Sequence, residues 1–108
     1  LKKPRASKRT RLPRQVKLTR SFVKDWQRLT RSGRYDMPRL KSVMRLLADN
    51  DAPLPPEWKD HPLKGQWSNR RECHVGGDFL LVYRIDDDIG PSGTVAFIGT
   101  GTHNELFR

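Results

Sequence analysis

His61, His74 and His103 are the three histidines of this 108-residue chain, and all fall in its second half, near loops or strand ends. Imidazole titrates near neutral pH, so one side chain can take a proton and return it. Asp78 follows His74 by four residues, across Gly76-Gly77. Such a set suits attack of a ribose 2′-hydroxyl on its neighbouring phosphate, a nucleophile that RNA carries and DNA lacks. A cation must then offset charge on the phosphate, and Arg70, Arg71 and Arg84 are candidates. Two other chemistries use the same residues. Three histidines and Asp78 could bind zinc, but there is no HExxH and no paired cysteine, so no metal is expected. Cys73 lies between Glu72 and His74, and strand alternation turns it to the opposite face, into the core. A histidine at a loop end can equally serve as a cap or in packing, so residue types alone leave the reaction open.

The elements that must position these groups are legible from period and punctuation. Residues 15–19 alternate, with Val16 and Leu18 on one face, which predicts a first strand half-buried against a core. Phe22, Trp26 and Leu29 then recur at helical spacing, with Thr19 or Ser21 as N-cap and Gly33 as the stop. A second helix is predicted from about Met37 to Ala48, capped by Asp36, with Pro38 in its first turn. Its stripe is Leu40, Val43, Met44 and Leu47. Residues 52–69 carry four prolines and Gly65, which reads as a long loop, parts of which, among Trp58, His61, Leu63 and Trp67, pack down on the body.

Strands fill most of the remainder. Residues 70–75 alternate, Gly76-Gly77 predicts a tight hairpin, and residues 79–85 form the most apolar run. Residues 94–99 form the last strand. Thr102 and Glu105 have capping-box spacing for a short closing helix. The expectation is an α+β domain over residues 15–108, a largely antiparallel sheet with two N-terminal helices packed on it.

The charge is uneven. The chain has 22 Lys+Arg against 12 Asp+Glu, a net charge of +10, and eight of the cations lie in residues 1–17 with no acid among them. Residues 1–14 hold two prolines and little apolar bulk, so they are read as a basic, flexible arm that attracts polyanions. The body from residue 18 has 14 basic and 12 acidic residues, so the arm can help hold a substrate but does not make the chemistry. A single cysteine excludes an internal disulfide and fits a reducing compartment. No apolar run reaches the ~18 residues of a membrane span. Leu1 in place of Met is expected of a chain that begins inside a longer one.

Three motifs occur in order: DHPL-x-G at Asp60–Gly65, HV-x-x-D at His74–Asp78, and TGTH-x-x-LF at Thr100–Phe107. With Pro53-Leu54-Pro55-Pro56 before them, they resemble the YafQ branch of the RelE/ParE toxin superfamily, over about nine tenths of the chain. The resemblance implies a RelE-like fold and a cytoplasmic type II toxin. It implies a metal-independent endoribonuclease, without cofactor, that cuts messenger RNA in the ribosomal A site and arrests translation. It also implies an antitoxin partner, and operator DNA only through the antitoxin. Carried over by motif, His61, His74, Asp78 and His103 match the catalytic set, Phe107 matches the aromatic that helps form the site, and Arg71 matches the motif arginine. The branch has tryptophan where this chain has Phe79, which keeps a stacking face and loses the indole donor. Phe79 and Arg84 are expected on the substrate side. The arm is a departure, read as an extension toward ribosomal RNA, a misplaced start, or part of an upstream segment. Two other readings stand beside the nuclease: a non-catalytic RNA- or protein-binding module, and a ParE-like gyrase inhibitor, which generally lacks the histidines.

Overall fold

The first helix begins where its side-chain chemistry allows. Thr19 Oγ1 accepts the Phe22 N–H at 3.0 Å and donates to the Ile98 carbonyl at 2.8 Å, capping the helix and tying it to the sheet. The computed structural model describes residues 12–49, 53–90 and 92–107. Its elements are β1 (Gln15–Leu18), α1 (Arg20–Ser32), α2 (Met37–Asp49), β2 (His61–Pro62), β3 (Arg71–Gly76), β4 (Phe79–Asp86), β5 (Thr94–Gly101) and α3 (His103–Phe107). Gly33 ends α1 at φ +68°, a left-handed conformation that glycine adopts without penalty. Asp36 caps α2 by accepting the Arg39 N–H at 3.0 Å.

The five strands form one sheet in the order β1-β5-β4-β3-β2. The pairs among β2, β3, β4 and β5 are antiparallel, and β1 joins β5 in parallel. Helices α1 and α2 cover one face. There Phe22, Leu29, Leu40, Val43 and Leu47 pack with Cys73, Val75, Leu81, Tyr83, Val95 and Phe97. Each such side chain contributes about 1.5–3 kcal/mol by burial. The other face carries Glu72, His74, Val82, Arg84 and Ala96 by strand alternation and register. No helix among the described residues is long and apolar enough to cross a membrane.

Four details differ from the sequence expectations. Strand β1 is not half-buried: all four of its residues are exposed, because it is an edge strand that the helices cover incompletely. The β3–β4 turn falls at Gly77-Asp78, one residue later than Gly76-Gly77, with Gly76 paired to Phe79 across a register shift. The 53–69 segment, expected as a loop packed on the body, is more regular than a loop: it holds two 3-10 turns, Pro56–Trp58 and Gly65–Trp67, around β2. Arg39 fastens the first turn, lying 4.1 Å over the buried Trp58 ring while its Nε donates to the Val75 carbonyl. Finally, Arg14 belongs to the body and not to an arm. It is buried, its Nη1 donates to the Leu47 carbonyl at 2.8 Å, and its Nε meets Asp87 at 2.9 Å. Residues 1–11 of the expected arm lie outside the described residues.

Cys73 is fully buried, as its strand parity predicts. Burial, reinforced by the Asp60 and Glu72 charges, pushes its thiol up from an ordinary 9.0 to about 12. The sign of the consequence is fixed. Below pH 9 the thiol is neutral in both states; above it only the unfolded chain loses the proton. Stability is therefore expected to fall with pH between 9 and 12, by up to about 1.4 kcal/mol per pH unit from this group. Denaturant titrations over that window should give a shallower fall in Cys73→Ala than in the parent. Equal slopes would exclude Cys73 as the source.

Candidate active site

The site grows from the end of the sheet where β3 turns into β4. Strand alternation puts Glu72 and His74 on the face away from the helices, and β2 brings His61 directly opposite Glu72. His61 Nε2 lies 3.3 Å from Glu72 Oε2, and His74 Nε2 lies 3.7 Å from the same oxygen. The two imidazole rings are 6.2 Å apart. Glu72 is only 7% exposed, whereas the His61 and His74 side chains it meets reach solvent, at 48% and 33% exposed. His61 Nδ1 also faces the Lys59 carbonyl, at 3.0 Å. With an acceptor at each nitrogen, a neutral His61 ring can serve one at a time, whereas imidazolium serves both. Sequence reading put Glu72 on the His74 face and gave it no role; only the β2–β3 pairing shows it between two histidines.

The second half of the site comes from the turn and from α3. Asp78 Oδ1 accepts the backbone N–H of His103 at 3.0 Å. Asp78 thus holds the start of α3, and with it the position of the His103 ring. The expected capping box is present: the Thr102 N–H donates to Glu105 Oε1 at 2.8 Å and the Glu105 N–H to Thr102 Oγ1 at 3.2 Å. Gly101 makes this approach possible. Its φ is +146°, and a Cβ there would stand 2.5 Å from Glu105 Oε1. The His103 ring meets Phe107 edge-on at 5.0 Å, and Phe107 meets Trp67 at 5.9 Å. Asp78, His103, Asn104 and Phe107 line an open recess of about 310 Å³.

The two halves are neighbours. His74, Leu80 and Gly101 form one cross-strand row, and two strand spacings amount to about 10 Å. His61, His74, Asp78, His103 and Phe107 therefore gather at one end of the sheet.

The remaining expected residues are placed differently. Phe79 is 5% exposed and packs against Tyr35 at 5.0 Å, so it offers no face to a base; hydrophobic side chains on the helix-side face draw it into the core. Arg71 shares that face with Cys73 and Tyr83 and is not turned to the histidines. Its Nη2 donates to Asp60 at 2.9 Å and its Nε to the same carboxylate at 3.2 Å, while the Tyr83 hydroxyl donates to Asp60 as well. The Asp60 hydrogen bond and charge hold the Arg71 guanidinium even higher than usual, and burial together with Asp60 drives the Tyr83 phenol upward. Arg84 is half-exposed, bonded to Asp86 at 2.8 Å, and lines a groove beyond Phe107.

One metal-ligand arrangement occurs among the described residues. A ring nitrogen each of His61 and His74 and an oxygen of Glu72 lie within 4.8 Å of one another. Two imidazoles and a carboxylate are a donor set that suits zinc or copper. The zinc set of three histidines with Asp78 considered from sequence is not assembled; Asp78 is bound to the His103 amide instead.

Comparison with known proteins identifies the family. Residues 14–108 match the family described as the bacterial toxin of type II toxin-antitoxin system, YafQ. The mRNA interferase toxin YafQ of Escherichia coli K12 is 38% identical over 96 residues, covering 89% of this chain and 98% of the relative. The crystal structure of the E. coli DinJ-YafQ complex superposes with TM-score 0.75 at 38% identity, over 88% of this chain and 99% of that one. A crystal structure of a metal-bound toxin from Helicobacter pylori does so with TM-score 0.75 at 39% identity, over 86% and 98%. The motifs, the order of elements and the sheet all lead to one assignment, and the chain belongs to the YafQ toxin family.

Proposed function

We propose that this chain is an mRNA interferase, an endoribonuclease that cuts messenger RNA in the ribosomal A site by histidine acid–base catalysis. The observation that carries the reading is the gathering of His61, His74 and the Asp78–His103 pair at one end of the sheet. RNA lies along the sheet face that carries His74 and Arg84. One of His61 and His103 takes the proton from the 2′-hydroxyl, and the other protonates the departing 5′-oxygen. His74 contacts the phosphate. The P–O2′ bond forms as the P–O5′ bond breaks, leaving a 2′,3′-cyclic phosphate. Asp78 positions His103 through its backbone amide. Phe107, edge-on to His103, supports a base by stacking. Arg71 and Phe79 hold the framework. An antitoxin neutralises the protein, as the relative's complex with DinJ suggests by analogy. A basic RNA-binding surface gives such a partner a complementary target. We place the reaction in the cytoplasm, where messenger RNA and ribosomes are.

The reaction needs no metal in this scheme. The His61–Glu72–His74 cluster supports a second reading, in which a transition ion binds there. The metal-bound relative is consistent with it. A bound ion would be held by a nitrogen of each ring and an oxygen of Glu72, and would compete there with protonation of His61 and His74. The test is primer extension on ribosomes programmed with a defined message. It uses EDTA-treated protein, magnesium only for ribosome integrity, and free RNA alongside. A-site cuts bearing cyclic phosphate ends are expected, and added zinc should suppress them. Cuts that require zinc reverse the role of the cluster. Absence of cuts from folded protein leaves a binding module or a gyrase inhibitor.

A further inference from the structure

Arg70, one of the cations the sequence offers to a phosphate, is left without a role in the scheme above. Arg14, Arg28, Arg39, Arg71 and Arg84 each meet a carboxylate. Arg70 meets none among the described residues, and its Nε is the single buried side-chain nitrogen or oxygen there without a hydrogen bond. Buried donors in folded proteins are rarely left without an acceptor. What holds the guanidinium is the Trp67 ring, 5.0 Å beneath it. Trp67 in turn touches Phe107, and Phe107 touches His103.

This chain of contacts borders a groove of about 750 Å³ between β1, β4, β5 and α3. Lys17, Arg70 and Arg84 line it, with Trp67 and Phe107 at one end. Its two acids, Asp25 and Glu105, are both tied to Arg28, each at 3.2 Å. One Arg28 answers both acids and Arg84 is paired with Asp86, so the positive balance of the groove rests on Lys17 and Arg70. Phe107 also lines the recess that holds His103, so the two cavities share a wall.

We propose that this groove is a subsite for the nucleotide next to the scissile bond, with the Arg70–Trp67 pair as its anchor. The inference rests on the nuclease reading of the His103 end. A strand whose reactive phosphate sits at His103 continues past Phe107 into the groove. Its next base stacks on Trp67, and its phosphate accepts hydrogen bonds from the guanidinium, whose planar fork matches two phosphate oxygens. A cationic groove with aromatic faces is the general form of a single-strand binding site. An acidic peptide would use the charge but not the stacking face.

The test is binding of a short fluorescein-labelled 2′-O-methyl RNA strand, which lacks the attacking hydroxyl, followed by anisotropy between about 50 and 200 mM salt. Arg70→Ala is expected to weaken binding about tenfold and to reduce the salt slope by about 0.7. Arg70→Lys should restore the slope and not the affinity. Trp67→Ala should weaken binding about 5–150-fold with the slope kept. Thermal unfolding of each variant confirms that it folds. Arg70→Ala binding like the parent in affinity and slope overturns the proposal, as does a parent that does not bind the strand. So does polyglutamate displaced by these substitutions while the strand is not. Cleavage of programmed ribosomes is scored separately. A parent that cleaves while its binding ignores Arg70 loses the subsite and keeps the nuclease reading. A parent that binds through Arg70 and never cleaves keeps the strand groove and loses the nuclease.

Discussion

Replacing His103 with alanine is expected to slow message cleavage by about 10²–10⁴-fold, the usual contribution of a positioned acid or base. The fold should barely notice. The ring is exposed and its one aromatic neighbour is Phe107, so Tm should stay within about 3 °C of the parent. Asp78 gives the internal control. Its carboxylate accepts the His103 N–H, and an asparagine side chain can still accept there. Asp78→Asn should therefore keep much more activity than Asp78→Ala. If both fell equally, Asp78 would be taking a proton instead of holding a backbone. Single-turnover rates on programmed ribosomes decide this, and a His103→Ala protein that cleaved at the parent rate would remove His103 from the mechanism.

The second large effect concerns stability. Asp60 is 14% exposed and receives Arg71 and the Tyr83 hydroxyl. Asp60→Ala leaves a buried phenol and a guanidinium without their acceptor. Losing one partner of a fully buried pair costs about 3–5 kcal/mol. Arg71 is 40% exposed, and water partly replaces what it loses, so about 2–4 kcal/mol is the better expectation here. For a chain of this size that lowers Tm by about 10–25 °C. Asp60→Asn keeps an oxygen acceptor and should lose about half as much. A calorimetric Tm for Asp60→Ala within a few degrees of the parent would show the triad to be ornamental. Because Asp60 precedes His61, the same variant should also blunt cleavage at temperatures where it remains folded.

What could be read from the chain follows the range of the interactions. Thr19, Gly33, Asp36 and the Thr102/Glu105 box act within four residues, and all four were legible. So was the burial of Cys73, which needs only the two-residue period of a strand. The missed features depend on pairs far apart. The exposure of β1 follows from its parallel pairing with residues 94–97, which no local pattern encodes. Glu72 gained a role only when β2 set His61 opposite it. Alternation already sends the adjacent Arg70 and Arg71 to opposite faces; what it does not encode is the partner each meets there, the Trp67 ring or Asp60. The expected stacking role of Phe79 failed because it was assigned by motif position, whereas the ring follows the apolar face of its strand into the core.

The parallel pairing of β1 with β5 also sets an order of assembly. Residue 15 waits for residue 94, so the chain must close a span of about three quarters of its length before the sheet is complete. Such closure comes late and slowly in folding. Strand β5 lies between β1 and β4, so during synthesis the helices and the β3–β4 hairpin emerge without the strand that joins them to the edge. His103 comes later still. A chain being translated therefore has neither a finished sheet nor its three histidines gathered at one end until its last strand and the start of α3 are out.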